Sequence, residues 1–95
     1  MTSYRRGVAC ERRARLALEA AGHFVVRAAG SRGAVDLLAV HPSGRVRAVQ
    51  VKRGAGRVTA AERVRLQALA AWLPAVSVEL WRYAPRVRHP VIEQW

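Results

Sequence analysis

Ser31-Arg-Gly-Ala-Val-Asp-Leu-Leu-Ala-Val-His-Pro-Ser-Gly-Arg-Val-Arg-Ala-Val-Gln-Val-Lys-Arg53 is the stretch on which the reading of this chain turns. Two apolar runs, 34–40 and 46–52, flank His41-Pro-Ser-Gly44, with Pro and Gly at turn positions. The pattern predicts a β-hairpin. Its first strand carries one acid, Asp36, in an otherwise apolar run, and its second ends on Gln50, Val51 and Lys52. Side chains alternate along a strand, so Gln50 and Lys52 share one face while Val49 and Val51 take the other. An acid on one strand, opposite an amide and an ammonium on the next, is costly to bury without a reason. That cost is the first sign of a site.

On the N-terminal side, residues 4–21 suit a helix, with Gly22 as its stop. At about 100° per residue, Cys10, Ala14, Ala17, Leu18 and Ala21 gather on an apolar side, and Arg5, Arg12, Arg15 and Glu19 on the other. Glu11 falls at the edge of the apolar side. It is either an edge acid paired with Arg15 at i+4 or an acid carried inward toward the hairpin. His23 to Ala28 reads as a first strand. Ala29-Gly-Ser-Arg-Gly33 follows, a small-residue loop that lets the backbone approach another chain closely, with Arg27, Ser31 and Arg32 around it.

Beyond the hairpin, Arg53-Gly-Ala-Gly-Arg57 is a flexible basic loop. Thr59-Ala-Ala-Glu62 then opens a second helix with a capping box, and Pro74 stops it near Leu73. Val64 with Ala68, and Leu66 with Leu69, Ala70 and Leu73, are its apolar positions. Trp72 either finishes the core or covers a patch that a second subunit would bury. Val76 to Tyr83 alternates as a strand with mixed faces. The tail from Ala84 to Trp95, with prolines at 85 and 90, reads as irregular, with room for a short strand or an arm. The order α-β-β-β-α-β predicts a single α/β domain with a mixed sheet.

Composition sets the limits. The chain has 95 residues, enough for one domain, and 52% are apolar, enough for a core. No apolar run approaches the ~20 residues of a membrane span and none marks a leader, so a cytoplasmic protein with no membrane partner is expected. Cys10, the single cysteine, reads as a small half-buried helix residue. The formal net charge of +11 points to a polyanion, nucleic acid before an anionic membrane surface. Arginine carries almost all of it. Lys52 is the only lysine, and its place beside Asp36 and Gln50 suggests a task that arginine, forked and always protonated, cannot perform.

Glu11, Gly22, the run Arg27-Ala-Ala-Gly-Ser31-Arg-Gly-Ala-Val-Asp36-Leu-Leu-Ala and Val49-Gln50-Val51-Lys52 together resemble the archaeal-type Holliday junction resolvases of the PD-(D/E)XK nuclease superfamily. The resemblance covers about residues 5–55, and that family's α-β-β-β-α-β, restriction-endonuclease-like core agrees with the pattern above. It implies that Asp36 is the metal-binding acid of the second strand and Lys52 the signature lysine of the third. It implies that Glu11 joins the metal shell, that the Val51 carbonyl is a further ligand, and that Ser31 and Arg27 stand beside the scissile phosphate. The family usually has glutamate where this chain has Gln50. Glutamine keeps a coordinating oxygen and loses the charge, as in the similar Mrr-like members of the superfamily.

The implied chemistry suits the residue types. Mg²⁺, or Mn²⁺ in its place, takes oxygen ligands and keeps several waters. Asp36, Gln50 and Glu11 offer those oxygens, and Lys52 could orient a water or take its proton. His23, His41 and His89 lack metal-ligand spacing, and no small-molecule cofactor is expected. Arg5, Arg12, Arg27, Arg32, Arg53 and Arg57 are the expected DNA contacts. The reading is a metal-dependent endonuclease cutting four-way DNA junctions as a homodimer. Its rivals are an Mrr-like nuclease on other DNA, a branched-DNA-binding protein whose catalysis lapsed with Gln50, and a ribosomal-type RNA-binding protein in which Asp36 and Lys52 form an ordinary ion pair.

Overall fold

The computed structural model describes residues 3–28, 35–54 and 58–95, with residues 3–6 as backbone alone. Its order is α1 (Ser3–Ala20), β1 (Phe24–Arg27), β2 (Leu37–Val40), β3 (Val46–Arg53), α2 (Ala60–Trp72), β4 (Val76–Tyr83) and β5 (Val91–Gln94). The strands form one sheet in the order β1-β2-β3-β4-β5. All neighbours are antiparallel except β3 and β4, which run parallel. A parallel pair needs a crossover connection, and α2 is that crossover.

Local chemistry sets the element ends. α1 closes at Gly22, whose φ of 91° suits glycine, and whose N–H donates to the Glu19 carbonyl. The hairpin turns at His41–Gly44, where Gly44 also has a φ of 91° and the His41 N–H donates to the Arg45 carbonyl at 2.8 Å. Thr59 caps α2 through the expected capping box with Glu62. The tail read as irregular holds β5, which pairs with β4 from Glu79 to Arg82. This strand covers what would otherwise be an open edge.

The helices pack on opposite faces. On the α1 face, Cys10, Ala14 and Leu18 meet Leu37, Ala39, Val49, Trp81 and Tyr83. The other face is a smaller cluster in which Leu66 of α2 meets Ala48 and Val78. Ala17 and Ala21, expected on the buried side of α1, are exposed: the buried stripe is Cys10, Ala14 and Leu18, Ala17 lies at its edge, and Ala21 follows the last residue of the helix. Val64 and Ala68 are exposed as well. α2 turns only Leu66, Leu69 and Ala70 to the sheet, and Trp72 stands 84% exposed.

The α1 face also holds a buried ion pair that pattern reading placed merely on a mixed strand. Glu79, 2% exposed, accepts from Arg47 Nε at 2.8 Å and Arg47 Nη2 at 2.6 Å, from Ser77 Oγ at 2.8 Å and from Trp81 Nε1 at 2.9 Å. Burial alone would raise its pKa. The hydrogen bonds from Arg47, Trp81 and Ser77 outweigh burial and hold it below the ordinary glutamate value. An acid depressed by folding contributes stability above its unfolded pKa and loses that contribution as pH falls through the folded one. Glu79→Gln leaves the Arg47 charge half-stranded and should cost about 3 kcal/mol at neutral pH. Urea unfolding should show that deficit shrinking as the wild type is taken through the acid range. A deficit independent of pH would mean the loss is one of packing.

Candidate nuclease site at the end of the hairpin

Asp36 sits where β2 begins, and its backbone is fixed on both sides. Its N–H donates to the Val49 carbonyl at 2.8 Å, and its carbonyl accepts from the Ala28 N–H at 2.8 Å. Its side chain then reaches past the end of the β2–β3 pairing, where Oδ2 accepts the Val51 N–H at 2.8 Å. A strand residue's N–H and C=O point to the same side, so the Val51 carbonyl also faces Asp36. Burial raises the Asp36 pKa most. The Val51 N–H opposes it, Glu11 raises it further, Lys52 lowers it and Glu62 raises it. An acid pressed toward neutrality by burial and two nearby carboxylates is a place where a cation would be welcome.

Lys52 follows Val51 on the strand. Its Nζ lies 2.5 Å from Glu62 Oε2, at the first turn of α2, and not against Asp36. The ordinary Asp36–Lys52 ion pair of the RNA-binding reading is therefore not formed. The Lys52 hydrogen bond is also the main cause that lowers the Glu62 pKa. Sequence reading assigned Glu62 to the cap alone; nothing in local spacing joins residues 52 and 62. Gln50 shares the Lys52 face of β3, is half-buried, and makes no side-chain hydrogen bond to another described residue.

Glu11 is not the i+4 partner of Arg15. Arg15 pairs with Glu19, and Glu11 accepts from Arg27 Nε at 2.8 Å. This joins α1 to the end of β1. Beside the pair lies an open depression of about 180 Å³ lined by Val8, Glu11, Arg12, Arg15, Arg27 and Leu37. Its basic rim suits a phosphate. Arg12 and Arg53 are exposed. Ser31, Arg32, Arg57 and the side chain of Arg5 lie outside the described residues. Among the described residues no three His, Cys, Asp or Glu side chains come together as a metal cage. The oxygen donors at the end of the hairpin are the Asp36 carboxylate, the Gln50 amide and the Val51 carbonyl. Such a hard, incomplete set fits a cation that keeps its own waters.

A family model described as archaeal Holliday junction resolvase matches residues 2–87. The chain belongs to that family. Its members are structure-selective DNA endonucleases, and this chain is one of them. Among solved structures, Hjc from Archaeoglobus fulgidus, a Holliday junction resolvase from an archaeal hyperthermophile, matches with a TM-score of 0.71. The two are 22% identical, over 94% of this chain and 70% of that one. At that identity the likeness is one of fold, and it agrees with the restriction-endonuclease-like sheet of this resolvase. No curated protein matches the chain.

Proposed function

We propose that this resolvase cuts four-way DNA junctions by Mg²⁺-dependent phosphodiester hydrolysis, with Mn²⁺ as a substitute, and that it works in the cytoplasm as a homodimer. The observation that carries the reading is the Asp36–Val51 contact with Lys52 on the next residue. It gathers an oxygen ligand, a backbone carbonyl and an ammonium at one strand end. When bound, the cation neutralises phosphate oxygens and lowers the pKa of a water. Asp36, Gln50 and the Val51 carbonyl would hold it, with Glu11 close enough to act on the Asp36 charge. Arg27 and Arg12 take the phosphates beside the depression, and the Lys52 ammonium orients the attacking water. Ser31, Arg5, Arg32, Arg53 and Arg57 complete the phosphate contacts. Shape, not base edges, sets the substrate.

A labelled four-way junction, incubated with and without Mg²⁺ beside a linear duplex of the same sequence, tests this. Symmetric cuts in the junction, only with the metal, are expected. Equal cutting of the duplex favours an Mrr-like nuclease. Tight junction binding without cutting favours a lapsed enzyme, the outcome that the neutral Gln50 would explain.

The homodimer rests on two bare apolar surfaces. α2 leaves the same face of β1 and β2 uncovered, where Phe24, Val26, Leu38 and Val40 are all exposed, and Trp72 closes a groove with Ala68 and Leu69 on α2 itself. Trp72→Glu should weaken self-association by about 2 kcal/mol or more, the cost of losing an aromatic anchor. Sedimentation equilibrium reads this directly. An unchanged dimer would remove Trp72 from the interface.

A further inference from the structure

The Lys52–Glu62 contact is built differently from an ordinary exposed ion pair. The two oxygens of Glu62 have separate duties. Oε1 accepts the Thr59 N–H at 3.3 Å as half of the capping box, and Oε2 meets Lys52 Nζ at 2.5 Å. The Thr59 hydroxyl accepts the Glu62 N–H in return at 3.1 Å. The cap therefore fixes the carboxylate before the lysine arrives. Both side chains are three-quarters buried. Long, flexible pairs in solvent gain little because ordering them costs as much as the attraction returns. Here one partner is already ordered.

The need for such a partner follows from β3. A lysine stem has four rotatable carbons and a point charge at its end. On the Lys52 face of the strand, the residue two positions back is Gln50, which brings no charge. Asp36, the other acid at the strand end, has Oδ2 on the Val51 N–H. Without Glu62, the ammonium is free to leave the place where a water must be oriented. Building on the nuclease reading above, we propose that Glu62 is a positioning residue of the cleavage reaction: from the capped first turn of α2 it anchors the Lys52 ammonium at the end of β3. The same side chain thus starts the helix and sets the reach of the lysine, so α2 is tied to the site by one carboxylate.

Glu62→Gln separates the two duties. Glutamine still completes a capping box but offers the ammonium no charge. Thr59→Ala is the complement, weakening the cap and leaving the carboxylate. Because Lys52 is the only lysine, protein grown on isotope-labelled lysine gives a single side-chain ammonium signal by NMR. The wild type should show that ammonium restrained and slow to exchange, in metal-free buffer. Glu62→Gln should release it, lower the melting temperature no more than Thr59→Ala does, leave the junction affinity in Ca²⁺ near wild type, and lower single-turnover cleavage in Mg²⁺ by roughly 10- to 100-fold, the scale of a misplaced catalytic group. Thr59→Ala should melt earlier yet keep both the lysine signal and the rate. A Glu62→Gln protein with an unchanged lysine signal or a wild-type rate overturns the proposal. So does a Thr59→Ala protein that loses as much rate as Glu62→Gln. A wild type that cuts no junction fails the nuclease reading itself, and is recognised because the wild-type rate is measured first.

Discussion

Asp36→Asn should abolish cleavage and yield a protein that melts higher than the wild type. Asp36 is the one carboxylate held at the strand end by a backbone N–H, at 2.8 Å from Val51. Asparagine can still accept that bond, so the strand end keeps its geometry. What goes is the negative charge on which the proposed cation site depends, and Gln50, already neutral, cannot replace it. Junction binding should survive or tighten, because a repulsion against phosphate goes with the charge. Cutting at the wild-type rate in Mg²⁺ would dismiss Asp36 as a ligand.

The stability half has its own sign. Burial is the largest cause raising the Asp36 pKa, with Glu11 and Glu62 adding to it. An acid whose pKa is raised by folding holds its proton more readily in the folded state. Its ionised form therefore costs stability once pH exceeds the unfolded value, and the full cost is present above the folded one. Asparagine carries no such cost. In metal-free buffer the variant should be the more stable at neutral pH, and the gap should close as acid protonates the wild type. A variant less stable at neutral pH would mean that the side chain holds the strand end through its charge. The expected pattern, lost activity with gained stability, is what a site held against local preference produces.

How much of this was open to reading differs from element to element. β3 was open because 46–52 is a valine-rich run bounded by turn residues, and Lys52 and Asp36 each break an apolar pattern. α2 announced its own start, since a capping box is a contact within four residues. Its role at the site was hidden, because the step from residue 62 back to residue 52 depends on how α2 lies on the sheet. Glu79 was hidden for the same reason. Arg47 precedes it by 32 residues and meets it only through the parallel register that pairs Val49 with Glu79. Ala17 and Ala21 misled because alanine fits helix surfaces and cores equally well. β5 was masked by Pro85 and Pro90, which punctuate its approach without entering the strand. Glu11 could not be decided from α1 alone, since Arg15 and Arg27 competed for it and only the position of β1 separates them.

Lys52→Arg should lower single-turnover cleavage by about 10²-fold, the scale of a misplaced catalytic group, with junction affinity almost unchanged. The substitution keeps the positive charge and most of the length. It also keeps a cation for Glu62, so the contact at the start of α2 and the melting temperature should persist. Arg12 and Arg53, both exposed, are unchanged in this variant and should keep the phosphate contacts proposed for them. What arginine cannot do is place a compact charge where its own fork must stand. If Lys52 were only a phosphate clamp, a guanidinium would serve nearly as well, because it grips phosphate in two places. Single-turnover cleavage in Mg²⁺ and a gel-shift titration in Ca²⁺ on the same preparation separate the two roles. A wild-type rate would reduce Lys52 to a charge. A loss in affinity matching the loss in rate would make it a clamp. A rate lost alone, with the junction still held and α2 still capped, assigns the placing of the water to the one lysine in the chain.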